Sequence, residues 1–263
     1  MQESLLITLT IVLGFALGYC IGLTGVGGGA LVAPALYVIL HVSYAHAVTL
    51  SLLYSVFTKS LGFLQHLRQG NVSWRVTLLY GVAGIPGAIV GSQLLYIVPS
   101  PHHWIFPFVM SGVLVVAAAL ILLEAGVPAL ATWEKPLDPA CMGWKGAAAI
   151  AGFQLLVGAL MGLTSVGSGS LVILSMLYFI RMPTRQIVGT NLTVALIMVI
   201  PASLSHLAAS GVDLPRLLLL LVGSLFGTVL GSKATLVVQD HLLKVLIAGL
   251  ILLSAVATVL KAW

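Results

Sequence analysis

The chain has 263 residues, 60% of them hydrophobic and 6% charged, with a formal net charge of +5. A water-soluble domain carries about 25% charged residues, so this composition excludes one and fits a chain solvated by lipid. The positive charge is spread over loops, which excludes a concentrated nucleic-acid patch, and no nucleic-acid partner is expected.

The first ten residues, MQESLLITLT, place no Lys or Arg before the apolar run. A secretory leader has a basic start, so this segment is expected to persist as the first helix. Apolar segments follow at 29–40, 46–68, 75–97 and 104–124, after a first at 4–24. A polar stretch, 125–144, holds Glu134, Lys135 and Asp138. Five more segments come after it, at 145–164, 169–180, 186–208, 214–237 and 242–260. Most can cover the roughly 20 residues that a spanning helix needs. Cys20 falls in a helix and Cys141 in the polar stretch; two such cysteines do not specify a redox compartment. All five tryptophans, Trp74, Trp104, Trp133, Trp144 and Trp263, lie at segment ends or in the polar stretch, as an interfacial belt requires.

Shifted by 140 residues, the sequence matches itself. Gly18, Gly22, Thr24, Gly27 and Gly29 fall on Gly158, Gly162, Thr164, Gly167 and Gly169, and His66 falls on His206. Further on, Gly87, Gly91 and Ser92 fall on Gly227, Gly231 and Ser232. The expected architecture is therefore an all-α membrane protein of two repeats, 1–124 and 145–263, joined by the linker 125–144. Segments 2 and 7 are short, so they either cross with a glycine break sunk in the bilayer or are re-entrant. If all ten cross, Arg68, Arg75, Lys135, Lys145, Arg181, Arg185, Lys233 and Lys244 share one side, with Arg216 and Lys261 opposite. That is 8 against 2; without the two short crossings the split is 6 against 4. Positive residues favour the cytoplasmic side, so ten crossings with both termini outside are expected. Five crossings per half make the repeats inverted, an architecture of secondary transporters.

The breaks read GLTGVGGGALVAP from Gly22 and GLTSVGSGSLVIL from Gly162. Gly14, Gly18 and Gly22 have the spacing that lets membrane helices approach closely. That does not account for Gly25, Gly27, Gly28 and Gly29 within one turn, since each costs about 1 kcal/mol in a helix interior. A loop followed by a short helix presents free N–H groups and a partial positive charge, which suits an anion. Thr24, Thr164, Ser165, Ser168 and Ser170 add hydroxyls, while the GxxxxGK[ST] phosphate loop is absent.

Lys59 lies 13 residues into segment 3, on one helical face with Ser51, Ser55, Gly62 and His66. A charge at the bilayer centre costs about 2.5–3.5 kcal/mol and is a functional expectation unless it snorkels to an interface. The equivalent face in segment 8 begins at Asn191. All six acids, Glu3, Glu124, Glu134, Asp138, Asp213 and Asp240, lie at ends or in loops. A cation pathway in a membrane usually carries a carboxylate; a lone lysine points to an anion. His66 and His206 read as helix C-terminal caps, with proton coupling as the alternative.

These motifs, together with VTLSLLYSVFTKSLGFLQHLRQGNV and its counterpart GTNLTVALIMVIPASLSHLAASGVDL, resemble the sulfite exporter TauE/SafE family, also called the toluene-sulfonate uptake permeases. The resemblance covers Leu9 to Leu260. It implies transport of sulfite, sulfonates or sulfoacetate-like anions across the cell membrane of a multi-pass protein. It also implies contacts from the glycine loops, Gly27, Gly28, Gly29, Gly167, Ser168 and Gly169, with Thr24 and Thr164, and from the polar face starting at Thr190 and Asn191. The first repeat departs from the second in having Leu50-Ser51 where the second has Thr190-Asn191, and in having Lys59.

The function expected is a secondary transporter holding a small anion between two helix N-termini, with Ser51 and Lys59 in the site. Its partners are that anion and the lipid bilayer; no cofactor and no metal is expected, and the oligomeric state stays open. The alternatives are an anion channel and an intramembrane hydrolase using Ser168 or Ser170 with His206 as base.

Overall fold

The computed structural model describes residues 2–24, 28–99, 103–126, 143–167, 169–180, 182–234 and 240–263. Among these are ten α-helices: α1 (Gln2–Thr24), α2 (Gly29–Val38), α3 (Tyr44–Arg68), α4 (Trp74–Ile97), α5 (Ile105–Gly126), α6 (Trp144–Thr164), α7 (Ser170–Phe179), α8 (Thr184–Ser210), α9 (Leu214–Ala234) and α10 (Asp240–Ala262). No strand occurs among the described residues. The helices match the ten expected segments to within a few residues. Most of the expected linker, including Trp133 and Cys141, lies outside the described residues.

In hydrocarbon every backbone polar group must find its partner inside the protein, which leaves helices as the only open-ended spanning element. Seven of the described helices are long and apolar enough to cross a membrane. The chain is a multi-pass helical membrane protein. α2 and α7 hold 10 residues each, about 15 Å at 1.5 Å per residue, too short to span alone. Leu218, Leu225, Phe226, Leu253 and Leu260 are each more than half exposed, as lipid-facing side chains are. Trp74, Trp104 and Trp144 are exposed at helix starts, where ring and indole N–H can straddle the interface.

Two tight helix pairs hold the molecule together: α1 along α9 and α4 along α6. Their contacts are backbone on backbone. A Cβ at Gly14, Gly18 or Gly22 would strike the main chain of Leu220, Ser224 or Thr228. Gly223 and Gly227 answer from α9 against Ile11, Phe15 and Tyr19. In the second pair, Gly87 and Gly91 meet Leu155 and Ala159, while Gly158 and Gly162 meet Gly84, Ala88 and Ser92. Without a hydrophobic drive between helices in lipid, such close approach supplies the van der Waals energy of association. Between these pairs α3 packs on α8, and α5 on α10. The end of α10 is pinned to α2, because Lys261 donates to the Tyr37 carbonyl and its ammonium sits 4.5 Å over the Tyr37 ring.

Overfilling a packed interior costs about 1–3 kcal/mol or more. Gly158→Leu should therefore lower the thermal unfolding midpoint in detergent sharply. Gly152→Leu, on the same helix but with nothing within 4 Å of its added Cβ, should leave it nearly unchanged. Equal midpoints for the two variants would contradict this packing account.

Candidate functional site: two helix breaks beside a buried lysine

α6 stops at Thr164 because Ser165 takes a left-handed conformation, φ 63° and ψ 1°. A non-glycine residue there is uncommon and needs support. The Ser165 amide bonds the Met161 carbonyl at 2.7 Å, and its hydroxyl donates to Ser51 Oγ at 2.9 Å. Thr164 Oγ1 donates to the Leu160 carbonyl at 2.7 Å and accepts from the Val166 amide at 3.1 Å. Gly167 follows with φ 103°.

A helix C-terminus leaves its last carbonyls without helical partners. In α6 side chains from elsewhere supply them. His206 Nε2 lies 2.7 Å from the Gly162 carbonyl, and the Tyr44 hydroxyl lies 3.2 Å from that of Leu163. A carbonyl only accepts, so His206 carries a proton on Nε2. Nδ1 is 2.8 Å from the Tyr96 hydroxyl, which in turn reaches Ser210 at 3.1 Å. His206 is therefore a C-terminal cap, as expected, but of α6 and not of its own helix. His66 does lie in the last turn of its helix, α3, and its Nδ1 is buried without a partner.

The first break meets the second. Gly28 is the N-cap of α2, and Gly29 presses its backbone against the Ser165 carbonyl so closely that a Cβ would not fit. The ring of Tyr54 covers Gly28, and the Tyr54 hydroxyl bonds that of Ser224 on α9. Thr24 ends α1, with its side chain outside the described part, and Gly27 and Ser168 lie outside the described residues. Gly169 is the N-cap of α7. The structure thus brings Gly28, Gly29, Ser51, Thr164 and Ser165 together.

Lys59 stands on the same face of α3 as Ser51, nearly two and a quarter turns along. It is 3% exposed, so it does not snorkel out. The one ion pair among the described residues, Arg216 with Asp213 at 3.3 Å, does not involve it. Contacts of Gly62 with Leu192 and of Thr49 with His206 set α3 and α8 antiparallel. That register puts Asn191 about one turn beyond Lys59 along the shared interface. Ser55 Oγ and Asn191 Oδ1 are both buried and both lack a partner. A buried polar group is normally hydrogen-bonded, so this strip of the α3–α8 interface has unused capacity around its one cation. Thr190 is placed differently, since its hydroxyl accepts from the Ser73 amide at 3.0 Å. Among the described residues no group of His, Cys, Asp and Glu could hold a metal.

A cavity of about 580 Å³ opens near the α8–α9 turn, lined by His41, His46, Leu50, Ser210, Asp213 and Arg216 among others. Its lining residue Leu50 is the chain neighbour of Ser51, the partner of Ser165. Ser55 was readable in sequence, one turn before Lys59 on its face. Tyr96 carried no such signal, because the His206 ring that makes it part of the site lies 110 residues away.

Residues 10–258 match the family described as sulfite exporter TauE/SafE. The chain is 31% identical to "Probable membrane transporter protein YjnA" of Bacillus subtilis, over 93% of this chain and 96% of that one. It is 26% identical to "Probable membrane transporter protein YdhB" of the same organism, over 93% and 99%. A third relative, "Probable membrane transporter protein MJ0441" of Methanocaldococcus jannaschii, is 23% identical over 94% and 93%. No solved structure matches the chain. A helical membrane chain with paired glycine breaks and a match along nearly all its length belongs to the TauE/SafE sulfite exporter family.

Proposed function

We propose that this protein is a secondary transporter of a small organosulfur anion, such as sulfite, a sulfonate or a sulfoacetate-like compound. The anion sits on the α3–α8 interface beside the two helix breaks. One observation carries the reading: Lys59 is buried, no described carboxylate neutralises it, and unpartnered polar atoms of Ser55 and Asn191 lie along the same interface. An uncompensated charge in low dielectric is expensive, and a bound monoanion offsets it. Ser51 and Ser165 close the end of the strip nearest the breaks. Gly28, Gly29, Gly167 and Gly169 keep side chains away from the backbone there. Thr24 and Thr164 shape the loop ends. His206 and His66 are the groups through which a proton would be coupled.

Alternating access between inverted repeats, 1–124 and 145–263, follows. Helix contacts support the repeat, since a 140-residue shift exchanges the α1–α9 pair with α6–α4, and α2–α10 with α7–α5. The largest departure from the exchange is that α4 lies extensively along α8, whereas α9 touches α3 only slightly. The cavity lies on the loosely packed side. Its repeat-equivalent region is shut by the Thr190–Ser73 hydrogen bond and by Gly189 pressed on the Asn71 carbonyl. Thr190 is the equivalent of Leu50, and Ser73 that of Asp213. By the distribution of Lys and Arg the cavity faces outward, in the cell's inner membrane with both termini outside.

Two measurements test the proposal. In proteoliposomes, Lys59→Met should abolish saturable, counterflow-competent flux of sulfite or a sulfonate while the protein still elutes as a folded species. Ser55→Ala should weaken it about tenfold, the loss of one hydrogen bond to a charged group. Unchanged flux in Lys59→Met would reject the site, and conductance without saturation would make the protein a channel. In a background lacking Cys20 and Cys141, Leu50→Cys should react with an impermeant thiol reagent from outside, and Thr190→Cys should react slowly until substrate is supplied. Equal labelling of the two positions would reject the alternating mechanism.

A further inference from the structure

A second cluster of buried polar side chains lies apart from Lys59, where α4, α6 and α7 meet. Gln154 of α6 donates its amide to Ser175 of α7 at 3.1 Å, and Ser175 donates onward to the Val172 carbonyl at 2.8 Å. The Tyr80 hydroxyl of α4 faces Ser175 without a well-directed hydrogen bond. Thr77 stands one turn earlier on the same helix. All four residues are 0–3% exposed. Three atoms remain buried without a partner: Thr77 Oγ1, Tyr80 Oη and Gln154 Oε1.

The fold does not require this polarity. A 140-residue shift carries Thr77 to Leu217, Tyr80 to Leu220, Gln154 to Gly14 and Ser175 to Ala35. There the same helix junction is dry, with Gly14 packed on the Leu220 backbone. Unsatisfied polar atoms in a lipid-embedded core cost free energy, and this junction carries that cost while its repeat equivalent has apolar residues at the same positions. The groups supplied are an amide carbonyl and three hydroxyls, all oxygen and all uncharged. Hard oxygen donors suit alkali and alkaline-earth cations over transition metals. With no carboxylate in the cluster, a divalent cation would leave twice the uncompensated charge of a monovalent one, at a much larger desolvation cost.

We propose that Thr77, Tyr80, Gln154 and Ser175 form a binding site for a dehydrated monovalent cation, Na⁺. Gln154 Oε1 and the hydroxyl oxygens of Tyr80 and Thr77 are the principal ligands, and Ser175 Oγ fixes the amide so that its carbonyl turns toward the ion. The site stands on these atoms alone. Its use as a coupling-ion site rests on the transport reading above.

The test uses purified full-length protein without any sulfite or sulfonate present. Thermal unfolding is followed in NaCl, KCl and choline chloride at equal ionic strength. Wild type should show a saturable upward shift of several degrees in Na⁺ over choline. Tyr80→Phe and Thr77→Val, each removing one oxygen at nearly constant shape, should reduce it, and Gln154→Leu should remove it. Equal midpoints in Na⁺ and choline for wild type would overturn the proposal and assign the atoms to a buried water. So would a Na⁺ shift undiminished in all three variants, which would put the ion elsewhere. Because wild type alone decides the first comparison, failure of a variant to fold does not rescue the idea. Na⁺ binding in a protein that moves no anion would reject the transport reading and leave this site standing.

Discussion

Everything in this fold answers to one constraint: a helix broken inside a bilayer must have its freed backbone groups satisfied by protein. The chain breaks twice and meets the constraint by bringing the breaks together. Gly29 lies on the Ser165 carbonyl, and Ser165 holds Ser51 of α3. The last carbonyls of α6 are taken by the imidazole of His206 and the phenol of Tyr44. This arrangement is possible because the α1–α9 and α4–α6 zippers bring backbones into contact. With side chains larger than glycine there, the breaks would stand apart and their polar groups would face lipid.

The electrostatics follow from where that junction sits. α3 runs past the breaks and carries Lys59 deeper along the same interface, buried and away from the one described ion pair. A buried lysine with no ion pair among the described residues is a poor structural element, since replacing it by leucine would remove a large desolvation cost. It makes sense as half of a pair whose other half arrives from solution. The name of the family, sulfite exporter, refers to a small anion. The unpartnered oxygens near α4, α6 and α7 are uncharged hydroxyl and amide atoms, and they occupy a separate junction.

Much of this was legible in the sequence. The helices could be read from apolar runs because lipid imposes a length and a composition on every span. The glycine spacings of α1 announced close packing, and the 140-residue self-match linked the two breaks. Lys59 stood out because charge is so rare in the chain. What stayed hidden depends on contacts between distant residues, which leave no periodic trace. His206 reads as a cap of α8 from its position near the helix end, yet it caps α6, 44 residues away from it in sequence. Thr190 looks like a site residue beside Asn191, yet its hydroxyl is taken by the Ser73 amide. Gln154 gave no signal, because one glutamine in an apolar run shows neither its burial nor its neighbours.

The central claim is that the lone buried lysine awaits a negatively charged guest. The most direct measurement is a structure determined in a lipid nanodisc with a heavy-atom-labelled sulfonate bound. This account predicts density for the sulfonate within hydrogen-bond reach of Lys59 Nζ and Ser55 Oγ, beside the Ser165 turn. Density elsewhere, with Lys59 paired to a carboxylate or a lipid phosphate, would contradict it.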